Sequence, residues 1–386
     1  MARAHQTVVA GLALLLCLTA CRSAVPPAPH PVEDAGEYGD GASRRSAREA
    51  WFVRQRLYPF ASFEEDVRAK AFRAMRTMET RAAGTAAGGA GWVPLGPAPT
   101  DSRFPDAWQR TSGRIRSVAV SPADPSIVLI GTSSGGIWRS TDQGETFVPA
   151  SDDQADLSVA SIVFSPSSPS IVYAGMGGEF LGSGVLKSTD AGATWRRVDE
   201  QGLPPMAQAA RIAVHPTNPE IVLLAQAWKL VDDGTTAASQ LFQSIDGGRT
   251  WTARLGDFPT DVVFDPAEPS IAYTALPTLI LENRPPTIYR SLDAGTTWEP
   301  AFAPSLDTSR YMTIRLAVAP ARPGRIYAYA YGGLGTFLYV SDDHGETWRE
   351  QPIEGVRGRA VLFETDPENG DVLYIGQFVD LFRSTD

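Results

Sequence analysis

The chain has 386 residues, 43% hydrophobic and 20% charged, enough to bury a large core. Its formal net charge of −10 excludes an extended nucleic-acid surface, which needs clustered positive charge. Both cysteines, Cys17 and Cys21, stand near the N-terminus, and past residue 31 the only histidines are His215 and His344. A disulfide framework, a zinc site and a cysteine nucleophile are therefore not expected in the folded body, and no cofactor is expected.

Residues 1–21 carry Arg3 and then an apolar run from Val8 to Leu18, too short to span a bilayer and of signal-peptide form. The run ends Leu18-Thr19-Ala20-Cys21, which resembles the lipobox of bacterial lipoproteins. That resemblance implies lipidation at Cys21, export, and a membrane anchor in the cell envelope. Because Arg22 rather than Asp follows the cysteine, it implies the outer membrane where the host has one. Residues 22–47 read as a tether, stiffened by Pro26, Pro27, Pro29 and Pro31 and too poor in apolar residues to pack. Residues 48–84 read as a short helical segment, with Val67, Phe72, Met75 and Met78 on one face and Ser62 and Glu65 placed as a capping box.

Over residues 85–386 one phrase keeps returning, Ser-x-Asp-x-Gly-x-Thr-Trp, with Phe147 replacing Trp in the first copy. Its Asp positions, 142, 190, 246, 293, 343 and 386, are 43–56 apart, a period near that of propeller blades. Ahead of each phrase stands an apolar run: Ser117–Val120, Ser161–Phe164, Arg211–Val214, Asp261–Phe264, Arg315–Val318 and Ala360–Phe363. Such runs fit a strand buried on both faces. In the first five a proline (Pro122, Pro166, Pro216, Pro266, Pro320) ends it, because proline cannot donate to a ladder. A second strand, a third leading into the phrase and a fourth leaving it follow. The expected fold class is an all-β β-propeller of four-stranded antiparallel blades, six of them visible, preceded by the short helical segment. Two readings of the ring stay open. Trp92-Val93-Pro94-Leu95 resembles Phe147-Val148-Pro149-Ala150 and would complete the sixth blade; alternatively the sequence is cut short and further blades follow.

The phrase and its setting resemble the Asp-box (BNR) repeats of sialidases, sortilin-type propellers and family 74 xyloglucanases. The physical need for it is local. A tight turn between strands three and four requires acceptors for its free N–H groups, which Asp and Ser supply. Gly permits a positive φ, and the aromatic ring packs beneath. A carboxylate identical in every blade suits architecture better than catalysis, and the resemblance places these turns opposite the ligand face.

Binding residues are expected on the loop face, where the long insertions 177–184, 226–239 and 276–286 carry Glu179, Trp228, Asp232 and Glu282. At the start of strand one, Arg211, Asp261 and Arg315 share one register, with Arg114, Arg116 and Arg359 close to it. Guanidinium groups there could clamp a carboxylate or phosphate; equally, the three residues could neutralise one another. Two enzyme resemblances break down at the residues that matter. The sialidase Phe/Tyr-Arg-Ile-Pro motif meets only Gly113-Arg114-Ile115-Arg116. The xyloglucanase Arg-Thr-Asp-x-Gly-Gly string meets Gly131-Thr132-Ser133-Ser134-Gly135-Gly136, with a hydroxyl at Ser133 where the catalytic Asp would stand. The expectation is a non-enzymatic envelope lipoprotein whose propeller binds a protein, peptide or glycan. The alternative is a secreted glycoside hydrolase.

Overall fold

Near-continuous apolar runs, each closed by a proline turn, leave short strands no solution except stacking between neighbours, and that is how this chain folds. The computed structural model describes residues 113–384 apart from 178–183, 200, 205–208, 227–228, 231–235, 238, 279–282, 307–309, 361 and 378–380, together with residue 74. Residue 74 is helical. The rest of the expected helical segment, the leader with Cys21, the tether and Trp92–Leu95 lie outside the described residues.

Blade one comprises β1 (Ile115–Val120), β2 (Val128–Thr132), β3 (Ile137–Ser140) and β4 (Val148–Pro149). Blade two comprises β5 (Val159–Phe164), β6 (Val172–Met176), β7 (Gly184–Ser188) and β8 (Arg196–Arg197). Blade three is built from β9 (Ala209–Val214), β10 (Val222–Gln226), β13 (Leu241–Ser244) and β14 (Thr252–Leu255), with a small hairpin, β11 (Lys229–Leu230) and β12 (Thr236–Ala237), inserted after its second strand. Blade four is β15 (Asp261–Phe264), β16 (Ala272–Leu276), β17 (Thr287–Ser291) and β18 (Glu299–Phe302). Blade five is β19 (Met312–Val318), β20 (Ile326–Gly332), β21 (Gly335–Ser341) and β22 (Arg349–Gln351). Blade six has three described strands, β23 (Leu362–Thr365), β24 (Leu373–Gly376) and β25 (Leu381–Arg383). Every sheet is an antiparallel meander, as expected of a six-blade all-β propeller.

One expectation is corrected here. The first strand of blade six is β23, two residues later than the apolar run Ala360–Phe363 suggested. Its end is fixed by the bond from the Asp366 amide to Val372 O, the counterpart of Ser121 to Ile127 O in blade one. Pro367 therefore stands where Pro122 stands.

Side chains alternate between the two neighbouring blades. Leu129 and Ile137 of blade one meet Ile162 and Phe164 of blade two in a single cluster, and the same pattern recurs down the series. The first and last blades each keep one face of this pattern uncovered. Val118 and Val120 are 60% and 52% exposed, whereas their counterparts Ile162 and Phe164 are each 6% exposed. Leu381 is 68% exposed, against 0% for its counterpart Ile137.

The five complete phrases form one repeated turn. In each, the serine hydroxyl donates to Asp Oδ1 at 2.6–2.9 Å and accepts the glycine N–H at 2.8–2.9 Å. Asp Oδ2 accepts the threonine hydroxyl. Where the aromatic is tryptophan, its Nε1–H donates to the glycine carbonyl at 2.8–3.1 Å. Three or four acceptor bonds to its own turn hold each carboxylate in place, which suits a structural role.

Candidate functional site

The first strands of successive blades lie side by side, so a residue at the same position in each contributes to one ring of side chains. Arg211, Asp261 and Arg315 share that position: they pair with Ala225, Ala275 and Tyr329 of their second strands. Blades one and two place Ser117 and Ser161 there, opposite Gly131 and Gly175.

The structure brings Arg211, Asp261 and Arg315 together. Asp261 lies between the two guanidinium groups, Oδ1 at 3.6 Å from Arg211 Nε and Oδ2 at 3.8 Å from Arg315 Nη1. At these distances both are ion pairs without a hydrogen bond. Asp261 Oδ1 accepts the Val262 amide at 3.0 Å, and Oδ2 accepts the Leu316 amide of blade five at 3.1 Å. The same bond across a blade boundary is made in blade one by Ser117, whose Oγ accepts the Ile162 amide at 2.9 Å. Asp261 is thus first a staple between blades four and five. Arg315 donates to Thr260 O at 3.0 Å. Arg211 donates no hydrogen bond among the described residues, and its side chain is a quarter exposed.

Glu364 on β23 joins the same electrostatic field. Its side chain is exposed on the strand, yet the density of protein atoms around it desolvates the carboxyl and pushes it above the usual range; the Arg211 guanidinium opposes this and Asp261 reinforces it. Burial, then the like charge of Arg315, lowers the Arg211 pKa, with Asp261 and Glu364 pulling the other way; an arginine remains charged throughout the working pH range. Tyr311, 45% exposed, stands nearby, its hydroxyl pushed up by burial and then by Tyr331, and within the fields of Arg359 and Arg315. An aromatic face beside guanidinium groups suits a ligand with a planar or ring surface and an acidic substituent.

The remaining predicted positions divide. Glu179, Trp228, Asp232, Glu282 and Cys21 lie outside the described residues. Arg116 donates to Gly177 O at 3.0 Å and so ties blade one to blade two, while Arg359 is exposed in the loop ahead of β23. Arg284, in the third insertion, pairs with Asp257 at 2.9 Å. At the string where xyloglucanases carry their aspartate, Ser133 N donates to Arg114 O, and its Oγ is buried with no hydrogen-bond partner among the described residues. Sequence reasoning missed Glu364, because the sixth strand was set two residues early. Pro367, at the spacing of the five earlier prolines, was the signal that would have found it.

The Sortilin-Vps10 family model (sortilin, neurotensin receptor 3) matches residues 135–268, and the BNR/Asp-box repeat model matches residues 339–350. The chain is similar to xyloglucanase Xgh74A of Acetivibrio thermocellus, 24% identical over 223 residues, which cover 48% of this chain and 25% of that protein. A xyloglucanase of Paenibacillus is 28% identical over 194 residues, 43% of this chain and 18% of that protein. The chain thus spans a quarter or less of the length of these relatives. Among solved structures, an ancestral GH74 enzyme superposes with a TM-score of 0.58 at 21% identity, covering 77% of this chain and 38% of that one. At that identity the likeness concerns the fold. Repeated Asp-box turns, four-stranded blades and these matches together make the chain a β-propeller of the BNR/Asp-box type.

Proposed function

We propose that this propeller is a binding module for an acidic glycan, held at the mouth of the ring by Arg211 and Arg315 with Tyr311 as a stacking surface. The observation that carries the reading is the state of Arg211. Its guanidinium stands 3.6 Å from a carboxylate already engaged by two backbone amides, and it donates no hydrogen bond among the described residues. A ligand carboxylate could accept from it bidentately. That the relatives are xyloglucanases supports a carbohydrate ligand. We further propose that the body is displayed in the cell envelope on a lipid anchor at Cys21, as the Leu18-Thr19-Ala20-Cys21 ending suggests.

Hydrolysis is the weaker reading. A glycosidase needs two carboxyl groups facing a cleft at about 5–10 Å. Asp261 is 4% exposed and committed to backbone amides, so it cannot reach a glycosidic oxygen. Ser133 offers a hydroxyl where the xyloglucanase string has its aspartate.

The test is calorimetric titration of the chain with uronate-containing and neutral oligosaccharides, beside an assay for reducing ends. Binding of the acidic series, lost in Arg211→Gln without release of sugar, is the expected result. Equal affinity for neutral sugars sinks the acidic-ligand reading, and release of reducing ends sinks the binding-only reading. Absence of fatty-acid labelling at Cys21 in a bacterial host sinks the anchor.

A further inference from the structure

The loop end of blade five carries a second set of charges beside the mouth. Arg310, Arg357 and Arg359 are exposed there, and none makes an ion pair with a described residue. Elsewhere on the surface the exposed arginines are neutralised by aspartates: Arg197 by Asp199, Arg322 by Asp371 and Arg349 by Asp342. In a chain of net charge −10, three arginines left open at one place stand out from that pattern.

The backbone that bears them is tied down. Tyr329 donates its hydroxyl to Gly358 O at 2.8 Å, and Thr336 Oγ1 donates to Val356 O at 2.8 Å, so the segment with Arg357 and Arg359 is fixed on blade five. The Gly333 amide donates to Tyr311 O at 3.0 Å. The stem of Arg310 lies against Gly333, where a Cβ would stand 3.3 Å from Arg310 Cδ. Groups held in this way lose little freedom when a ligand arrives.

Tyr311 joins this rim to the mouth, within the fields of Arg359 and Arg315. From Tyr311 down β19 to Arg315 is four residues, roughly 13 Å of strand, longer than one sugar ring. Arg315 and Arg211 are shielded, their side chains 15% and 25% exposed, whereas the three rim arginines face solvent. The described carboxylates acting on the mouth are Asp261 and Glu364. Glu354 lines the groove between blades five and six instead.

We propose that the site takes a polyanionic glycan, with one uronate in the mouth at Arg211 and Arg315 and the following uronates along Arg310, Arg357 and Arg359. Tyr311 stacks on the ring between the two. This rests on the mouth being an acidic-glycan site and adds that the ligand's charge repeats. A single uronate would leave the rim arginines open, whereas a run of carboxylates pairs each of them in the fork geometry that guanidinium groups favour.

The test is calorimetric titration of the full chain with galacturonate and with its α-1,4-linked tetramer. The tetramer is expected to bind about tenfold more tightly than the monomer, beyond the statistical advantage of offering several carboxylates, for three added exposed ion pairs. That ratio should shrink between about 50 mM and 500 mM salt. Arg357→Gln with Arg359→Gln should bring it down towards the statistical level. A ratio already at that level in the parent overturns the proposal, as does a ratio that the double variant keeps. A tetraglutamate peptide that gains as much over glutamate assigns the rim to acidic peptides and overturns the glycan. Tetramer binding that Arg211→Gln leaves intact and the double variant removes sinks the mouth reading while keeping the rim.

Discussion

Gly295 of the fourth Asp box lies against Leu223 of blade three so closely that a Cβ on it would stand 2.5 Å from Leu223 Cδ2. Leu223 is fully buried and cannot yield. Gly144 of the first box has a similar φ, +91° against +92°, but a Cβ there would meet only Phe147 at 3.7 Å. Both alanine substitutions carry the cost of a left-handed residue, about 1–2 kcal/mol. Only Gly295→Ala adds overpacking, another 1–3 kcal/mol or so. Urea unfolding should therefore rank Gly295→Ala about 2 kcal/mol below Gly144→Ala. Equal midpoints would mean that the box glycine serves its own turn alone and not the contact between blades.

Asp261 yields a second prediction. Its replacement by alanine strands the Leu316 and Val262 amides and removes the carboxylate that stands between two guanidinium groups. Loss of one partner from a buried charged cluster costs about 3–5 kcal/mol. Ser117→Ala removes the equivalent bond to the Ile162 amide but uncovers no charge, so roughly 1 kcal/mol is expected. Chemical denaturation of the two variants checks the difference. A cost for Asp261→Ala no larger than for Ser117→Ala would show that the arginines do not depend on it.

The repeating blades, their strand order and the structural role of the Asp boxes could be read from the sequence because each rests on a local rule repeated at a fixed spacing. Proline ends a strand wherever it falls, and the phrase makes the same turn each time it occurs. The shared register of Arg211, Asp261 and Arg315 followed from the same ruler. What the chain did not disclose was tertiary. Nothing in a string of residues says that Asp261 spends its oxygens on the amide of the next blade, or that Glu364 lies in the same field as Arg211. In the sixth blade, Thr365 and Glu364 interrupt the apolar run, so hydrophobicity pointed two residues upstream of the strand that backbone pairing selects.

Acid should weaken the turns. Hydrogen bonds from Ser140 and Thr146 hold the Asp142 carboxyl down at about 2. For Asp343, burial pushes upward, but hydrogen bonds from Thr347 and Ser341 outweigh it and leave it at about 2 as well. Carboxyls depressed in the folded state bind protons more readily when unfolded, so their contribution is complete above the unfolded value near 4 and declines as pH falls towards 2. Asp343→Asn should therefore lie below the parent in stability at pH 6, and the gap should narrow at pH 2.5. A gap that is constant with pH would mean that the asparagine cost is steric.

Glu364 yields the sharpest test of the mouth as a site for anions. Desolvation by the surrounding protein atoms holds its carboxyl above the ordinary carboxylate value. The charged groups that act on it are Arg211 and Asp261, and Arg211 is in turn within the fields of Arg315 and Tyr331. Neutral Glu364 leaves Arg211 facing one carboxylate, Asp261, instead of two, which raises the positive potential that an acidic ligand meets. Affinity for a uronate oligosaccharide should therefore increase as pH falls and Glu364 takes up its proton, by about fivefold for the loss of one nearby charge. Glu364→Gln should bind at pH 7 with the affinity the parent reaches at low pH, and its own titration should be flat. If the parent loses affinity as pH falls, or the Gln variant keeps the full pH dependence, the responsible group is not Glu364, and the ligand does not share Arg211 with it.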